Sequence, residues 1–108
     1  MNRTIFMGAL LAFGMAVPAA AHAPLMDCYD NGDGTITCEA GYSDGGSAAN
    51  QIIRVRDADH RLVFEDRFGD DSAFTFDRPD AAEFQVQFEG DQFHSLIFYS
   101  LDIEWANP

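Results

Sequence analysis

The sequence predicts an all-β fold, a seven-stranded antiparallel β-sandwich with one disulfide-stapled hairpin. Three observations carry that expectation. Short runs of alternating apolar and polar residues recur along the chain, separated by turn-forming residues. No stretch shows the apolar stripe of an amphipathic helix. Cys28 and Cys38 stand equidistant from Asp33, inside the turn Asn31-Gly32-Asp33-Gly34, so a hairpin closing there sets them directly opposite.

Each element follows from its own pattern. Leu25 to Asp30 and Thr35 to Glu39 form the hairpin, with Met26, Cys28, Ile36 and Cys38 on the inner face. Gly41 to Ala49 is rich in Gly and Ser and reads as a loop. Gln51 to Asp57 turns Ile53 and Val55 one way and Arg54 and Arg56 the other. A tight turn at Ala58-Asp59-His60 leads into Arg61 to Asp66, and Ala73 to Asp77 points Phe74 and Phe76 the same way. Glu83 to Glu89 alternates most cleanly, with Phe84, Val86 and Phe88 facing in and Gln85 and Gln87 facing water. The last strand is expected from about Phe93 to Trp105, with Ile97, Tyr99, Leu101, Ile103 and Trp105 sharing one side. Two packed antiparallel sheets fit this count.

The front of the chain has a different character. A basic start at Arg3, an apolar centre through Val17, Pro18 and the small residues Ala19 to Ala21 make residues 1–21 a secretion signal peptide. The apolar centre is too short to span a bilayer as a helix. Cleavage after Ala21 leaves residues 22–108 as one domain that begins at His22. Cleavage after Ala23 would place Pro24 first, and proline is poorly tolerated there. A periplasmic or secreted location follows, where an isolated cysteine pair reads as a disulfide.

The formal charge is −12 for the whole chain, and the signal contributes only Arg3, so the mature domain stands at −13. It holds five arginines and no lysine. Such a surface repels nucleic acid and anionic membranes and attracts cations. No membrane insertion of the mature chain is expected.

Residues 42–79 carry a resemblance. Tyr42-Ser43-Asp44-Gly45-Gly46-Ser47-Ala48-Ala49, Ile53-Arg54-Val55-Arg56-Asp57-Ala58-Asp59 and Phe74-Thr75-Phe76-Asp77-Arg78-Pro79 follow one another as an Asp-Gly-small loop, a strand ending in a turn, and an aromatic strand closed by proline. This order resembles the carboxypeptidase-regulatory-like group of β-sandwiches, which are transthyretin- or immunoglobulin-like in form. Within that group it is most similar to small periplasmic accessory proteins of nickel and cobalt transporters. The resemblance implies a mature chain starting at or near a histidine, here His22, and a second histidine opening the last strands, here His94. It also implies a membrane metal transporter as partner. The sequence departs from the pattern where His60 and Ser72 replace glycines, at a cost of about 1 kcal/mol each if the backbone is left-handed.

The chemistry that fits these residues is metal binding. An N-terminal histidine offers its α-amine and ring Nδ1 together, and the α-amine gives up its proton more readily than a lysine. A second imidazole from His94 would complete a three-nitrogen set for one divalent ion of Ni, Co or Cu. Met26 or Asp27 would add a weaker ligand. His60 is expected at a turn tip, without a ligand role.

Other chemistries fit less well. Asn31, Asp33 and Gly34 occupy calcium-loop positions, but Tyr29 and Ala40 stand where that loop needs oxygen ligands, and a hairpin turn explains the same residues. No serine lies in a nucleophile elbow, no cysteine is free, and Glu65 and Asp66 point to opposite faces of a strand. The expected protein is therefore an exported, non-enzymatic metal-binding or metal-transport accessory protein. The alternative is a metal-free periplasmic interaction or adhesion-type module, docking another exported protein through loop residues such as Phe68 and Phe93.

Overall fold

The computed structural model describes residues 22–90 and 95–106, so the signal peptide expected over residues 1–21, Phe93 and His94 lie outside the described residues. The strands are β1 (Pro24–Asp30), β2 (Thr35–Tyr42), β3 (Ile52–Asp57), β4 (Leu62–Arg67), β5 (Ala73–Asp77), β6 (Phe84–Phe88) and β7 (Leu96–Tyr99). A 3-10 turn over Ser100–Asp102 follows, and the described residues contain no α-helix. The strands form two antiparallel sheets, ordered β1-β2-β5 and β4-β3-β6-β7.

The β1–β2 hairpin follows from its turn chemistry. Gly32 and Gly34 take left-handed backbone angles of 81° and 93°, which glycine adopts without strain. Asp33 Oδ1 accepts from the Thr35 backbone N–H at 3.0 Å and from the Thr35 hydroxyl at 2.6 Å. Asn31 Nδ2 donates to the hydroxyls of Thr35 and Thr37. Asn31 and Asp33 thus serve the turn. The closure puts Cys28 opposite Cys38, and the two are joined by a disulfide. Both cysteines are buried, with Ile36 beside them.

The core lies between the sheets. Ile36, Cys38, Ile53, Val55, Val86 and Phe88 are completely buried. Phe64 of β4 meets Phe76 of β5 edge-on at 5.2 Å between ring centroids, closing one corner of the sandwich between the edge strands. On the outer face Arg54 bridges Glu65 of β4 and Glu89 beyond β6.

Two expectations are corrected here. Phe68 is buried, not displayed in a loop. It keeps the inward parity of Phe64, because the backbone continues past β4 with Phe68 N donating to Gln51 O and Asn50 N to Phe68 O. Its ring packs edge-on against Phe88 at 5.4 Å. The last strand stops at Tyr99, with Leu96 and Phe98 facing the core and Ile97 and Tyr99 facing out. The 3-10 turn then changes the side-chain parity, so Leu101 is exposed while Ile103 is buried and Trp105 packs on the core. Strict alternation from Ile97 to Trp105 fails because that turn interrupts the two-residue period.

His60 and Ser72 do adopt left-handed backbone, with φ of 66° and 63°, and Asn50 joins them at 68°. Ser72 uses its hydroxyl, which accepts from Ala48 N at 3.0 Å and pairs with Ser47 Oγ at 2.9 Å. A glycine there would lose the link between two loops.

Candidate functional site

The segment ahead of β1 is fastened to the loop after β2. Ala23 N donates to Ser43 Oγ at 2.9 Å, and Ser43 N donates to Ala23 O at 2.8 Å. Pro24 pairs with Tyr42 in register, so this contact continues the hairpin beyond its last ladder pair.

His22 therefore meets Tyr42 at the end of β2 and Asp44 of that loop. Its ring lies flat on Tyr42, with centroids 4.3 Å apart and planes 10° from parallel. Its Nδ1 stands 3.0 Å from Asp44 Oδ2. Tyr42 is a fixed platform: it is buried, its hydroxyl donates to Gln51 Oε1 at 2.9 Å, and its ring tilts onto Phe88 at 5.5 Å. Asp44 is fixed from behind, because its Oδ1 accepts from Gly46 N at 3.0 Å. A β-carbon on Gly46 would sit 3.1 Å from Asp44 Oδ1, so any larger residue there would press on this carboxylate. The hydrogen bond to His22, and after it the Gly46 N–H, hold the Asp44 carboxyl below its usual range.

An open groove of about 520 Å³ borders this loop, lined by Leu25, Asp27, Glu39, Gly41, Tyr42 and Gly46. Asp27 and Glu39 are direct cross-strand partners. Like charges so placed repel each other and create a negative local field that draws cations.

The expected site residues are placed as follows. His22 sits in the constellation just described. Cys28 and Cys38 form the disulfide. His94 lies outside the described residues. Met26 and Asp27 stand four and five residues beyond His22 along an extended chain, roughly 13–17 Å away, so neither reaches the His22 ring. Met26 also packs against the core. His60 is exposed at the β3–β4 turn, its N–H donating to Asp57 O. Among the described residues, no group of three or more His, Cys, Asp or Glu side chains converges as a metal cage. The His22 constellation contributes two such side chains.

Tyr42 and Asp44 were not anticipated as site residues, although the signal was present. His22 and Asp44 are equidistant from Asp33, as Cys28 and Cys38 are. Extending the hairpin's symmetry to the front of the domain brings the histidine and the aspartate together.

The disulfide fits an oxidising compartment. No helix among the described residues is long and apolar enough to cross a membrane. Comparison with protein-family models, curated proteins and solved structures finds no match, so the chain is placed by its architecture, a disulfide-stapled all-β sandwich of three and four strands.

Proposed function

We propose that the processed domain is an exported, non-enzymatic transition-metal-binding accessory protein that uses His22 as its N-terminal ligand residue. The observation that carries this reading is the fixing of the His22 imidazole: it is stacked on buried Tyr42 and held at Nδ1 by Asp44. A ring ordered in this way loses less freedom on chelation, so more of the bonding energy appears as affinity. Removal of residues 1–21 adds an α-amine to the same residue, giving two nitrogens that close one chelate ring on Ni, Co or Cu.

His94 is proposed as the second imidazole. Supporting it is the resemblance, which pairs a leading histidine with a second one opening the last strands. The similarity to accessory proteins of nickel and cobalt transporters makes a membrane metal transporter the proposed partner. The acidic surface would gather cations near the site.

The test is titration of the exported, processed chain with Cu(II) and Ni(II), read by visible absorption and by competition with a coloured chelator. Binding tighter than about 10 µM that disappears in His22→Ala supports the proposal. Failure to bind either ion at that level removes it.

A second reading draws on one observation. Ile97, Tyr99 and Leu101 form an exposed apolar row on the edge strand β7 and the turn after it, suited to a metal-independent protein partner. A partner retained from the exported fraction in the presence of chelator, and unaffected by added metal, would favour that reading.

A further inference from the structure

We propose that Asp44 is a metal ligand, its Oδ2 completing a two-nitrogen, one-oxygen set with the α-amine and Nδ1 of His22. This rests on the N-terminal-histidine reading above, does not depend on His94, and deepens that reading by naming an oxygen donor and the class of ion it selects.

The argument begins with distance. Two donors in neighbouring positions on a metal, each at about 2.0–2.1 Å, stand about 2.9 Å apart. Nδ1 of His22 and Oδ2 of Asp44 are 3.0 Å apart, already at that spacing. A cation replacing the shared proton needs reorientation of the two groups and no movement of the backbone. Asp44 cannot swing away without losing the Gly46 N–H on its other oxygen. His22 cannot leave without unstacking from Tyr42. The backbone bonds between Ala23 and Ser43 keep the two residues in register. Nδ1 and Oδ2 are thus held at ligand spacing by four separate contacts.

The donor set chooses the ion. Two nitrogens and a carboxylate suit a borderline divalent cation, with Cu(II) favoured over Ni(II) by intrinsic affinity. They do not suit Cu(I), which prefers thioether and thiolate sulfur. Binding expels one proton of the α-ammonium group to solvent, a proton on Nδ1 passes to Nε2 in a neutral ring or to solvent from a doubly protonated one, and the carboxylate offsets one of the two incoming positive charges.

The experiment measures Cu(II) and Cu(I) affinities of the exported, processed chain by chelator competition, Cu(I) under anaerobic conditions. It compares wild type, His22→Ala, Asp44→Asn and Asp44→Glu, with far-UV circular dichroism confirming the fold. Expected results are a loss of Cu(II) affinity of about tenfold or more in Asp44→Asn, with a shifted visible band, and a Cu(I) affinity within about threefold of wild type. Asp44→Glu keeps a carboxylate and should recover most of the Cu(II) affinity. If Asp44→Asn misfolds, Asp44→Ser replaces it. Wild-type Cu(II) affinity and an unshifted band in a folded Asp44 variant overturn the assignment, even where His22→Ala abolishes binding. Unchanged binding in His22→Ala overturns the underlying metal reading as well.

Discussion

Cys28 and Cys38 occupy directly opposed positions of β1 and β2, and their disulfide is buried against Ile36 in the core. The bond closes a short loop, with a sequence separation of 10. Restricting a loop of that length in the unfolded chain is worth about 2–3 kcal/mol. The double variant Cys28→Ala/Cys38→Ala should lower unfolding stability in urea by that amount or more, since two buried side chains also shrink. Because both cysteines are buried, reduction by dithiothreitol should wait on opening of the β1–β2 hairpin from the core and be much slower than that of an exposed disulfide. Rapid reduction of the native protein would contradict this.

The flat contact between His22 and Tyr42 has a direct signature. The ring current of Tyr42 should shift the His22 ring protons upfield in the NMR spectrum, and Tyr42→Leu should abolish the shift. The same variant should weaken the proposed metal binding by about three- to tenfold, since an aromatic contact contributes about 0.5–1.5 kcal/mol.

The left-handed residues separate strain from use. His60→Gly should stabilise the fold by about 0.5 kcal/mol, the relief at φ 66° slightly exceeding the added freedom of the unfolded chain. Ser72→Gly relieves a similar angle but removes the hydroxyl that serves Ala48 N and Ser47, so it should destabilise by about 1 kcal/mol. Urea unfolding of both variants checks the opposite signs.

Acid should loosen the hairpin turn. The Thr35 hydroxyl, and then the Thr35 backbone N–H, lower the pKa of Asp33 in the folded chain. A group lowered in this way contributes stability above its unfolded pKa, near 3.9, and loses it as pH falls through the folded value. Thermal melts between pH 5 and pH 2 should therefore fall less steeply in Asp33→Ala than in wild type.

Core truncation offers a control. Phe88 is completely buried and touches both Tyr42 and Phe68, so Phe88→Ala should cost about 3–5 kcal/mol. It should also disturb the His22 ring shift through Tyr42.

Much of this architecture was legible in the residues. Alternation at Phe84–Val86–Phe88 and at Ile53–Val55 marked the buried faces, because a half-covered strand shows its period directly. The cysteine register followed from the symmetry of the turn. The end of β7 was hidden, since a 3-10 turn inside an apolar run carries no glycine or proline to mark it. Phe68 was misplaced because neighbouring Gly69 and Asp70 mimic a solvent loop, while the backbone bonds that hold it inward come from distant Asn50 and Gln51. Half of the candidate site was visible. His22 stood out by its place after the expected signal peptide, whereas Asp44 looked like one more turn aspartate in an acidic chain.

The 3-10 turn after Tyr99 has a bearing on solubility. Leu96-Ile97-Phe98-Tyr99 is an uncharged, aromatic-rich edge segment, the kind that templates cross-molecule pairing when it runs longer. Ending the ladder after four residues, with Asp102 in the turn itself, leaves too short a stretch for a second chain to extend. Changes that straighten residues 100–102 into continued strand would lengthen that template and make the protein prone to fibrous self-association.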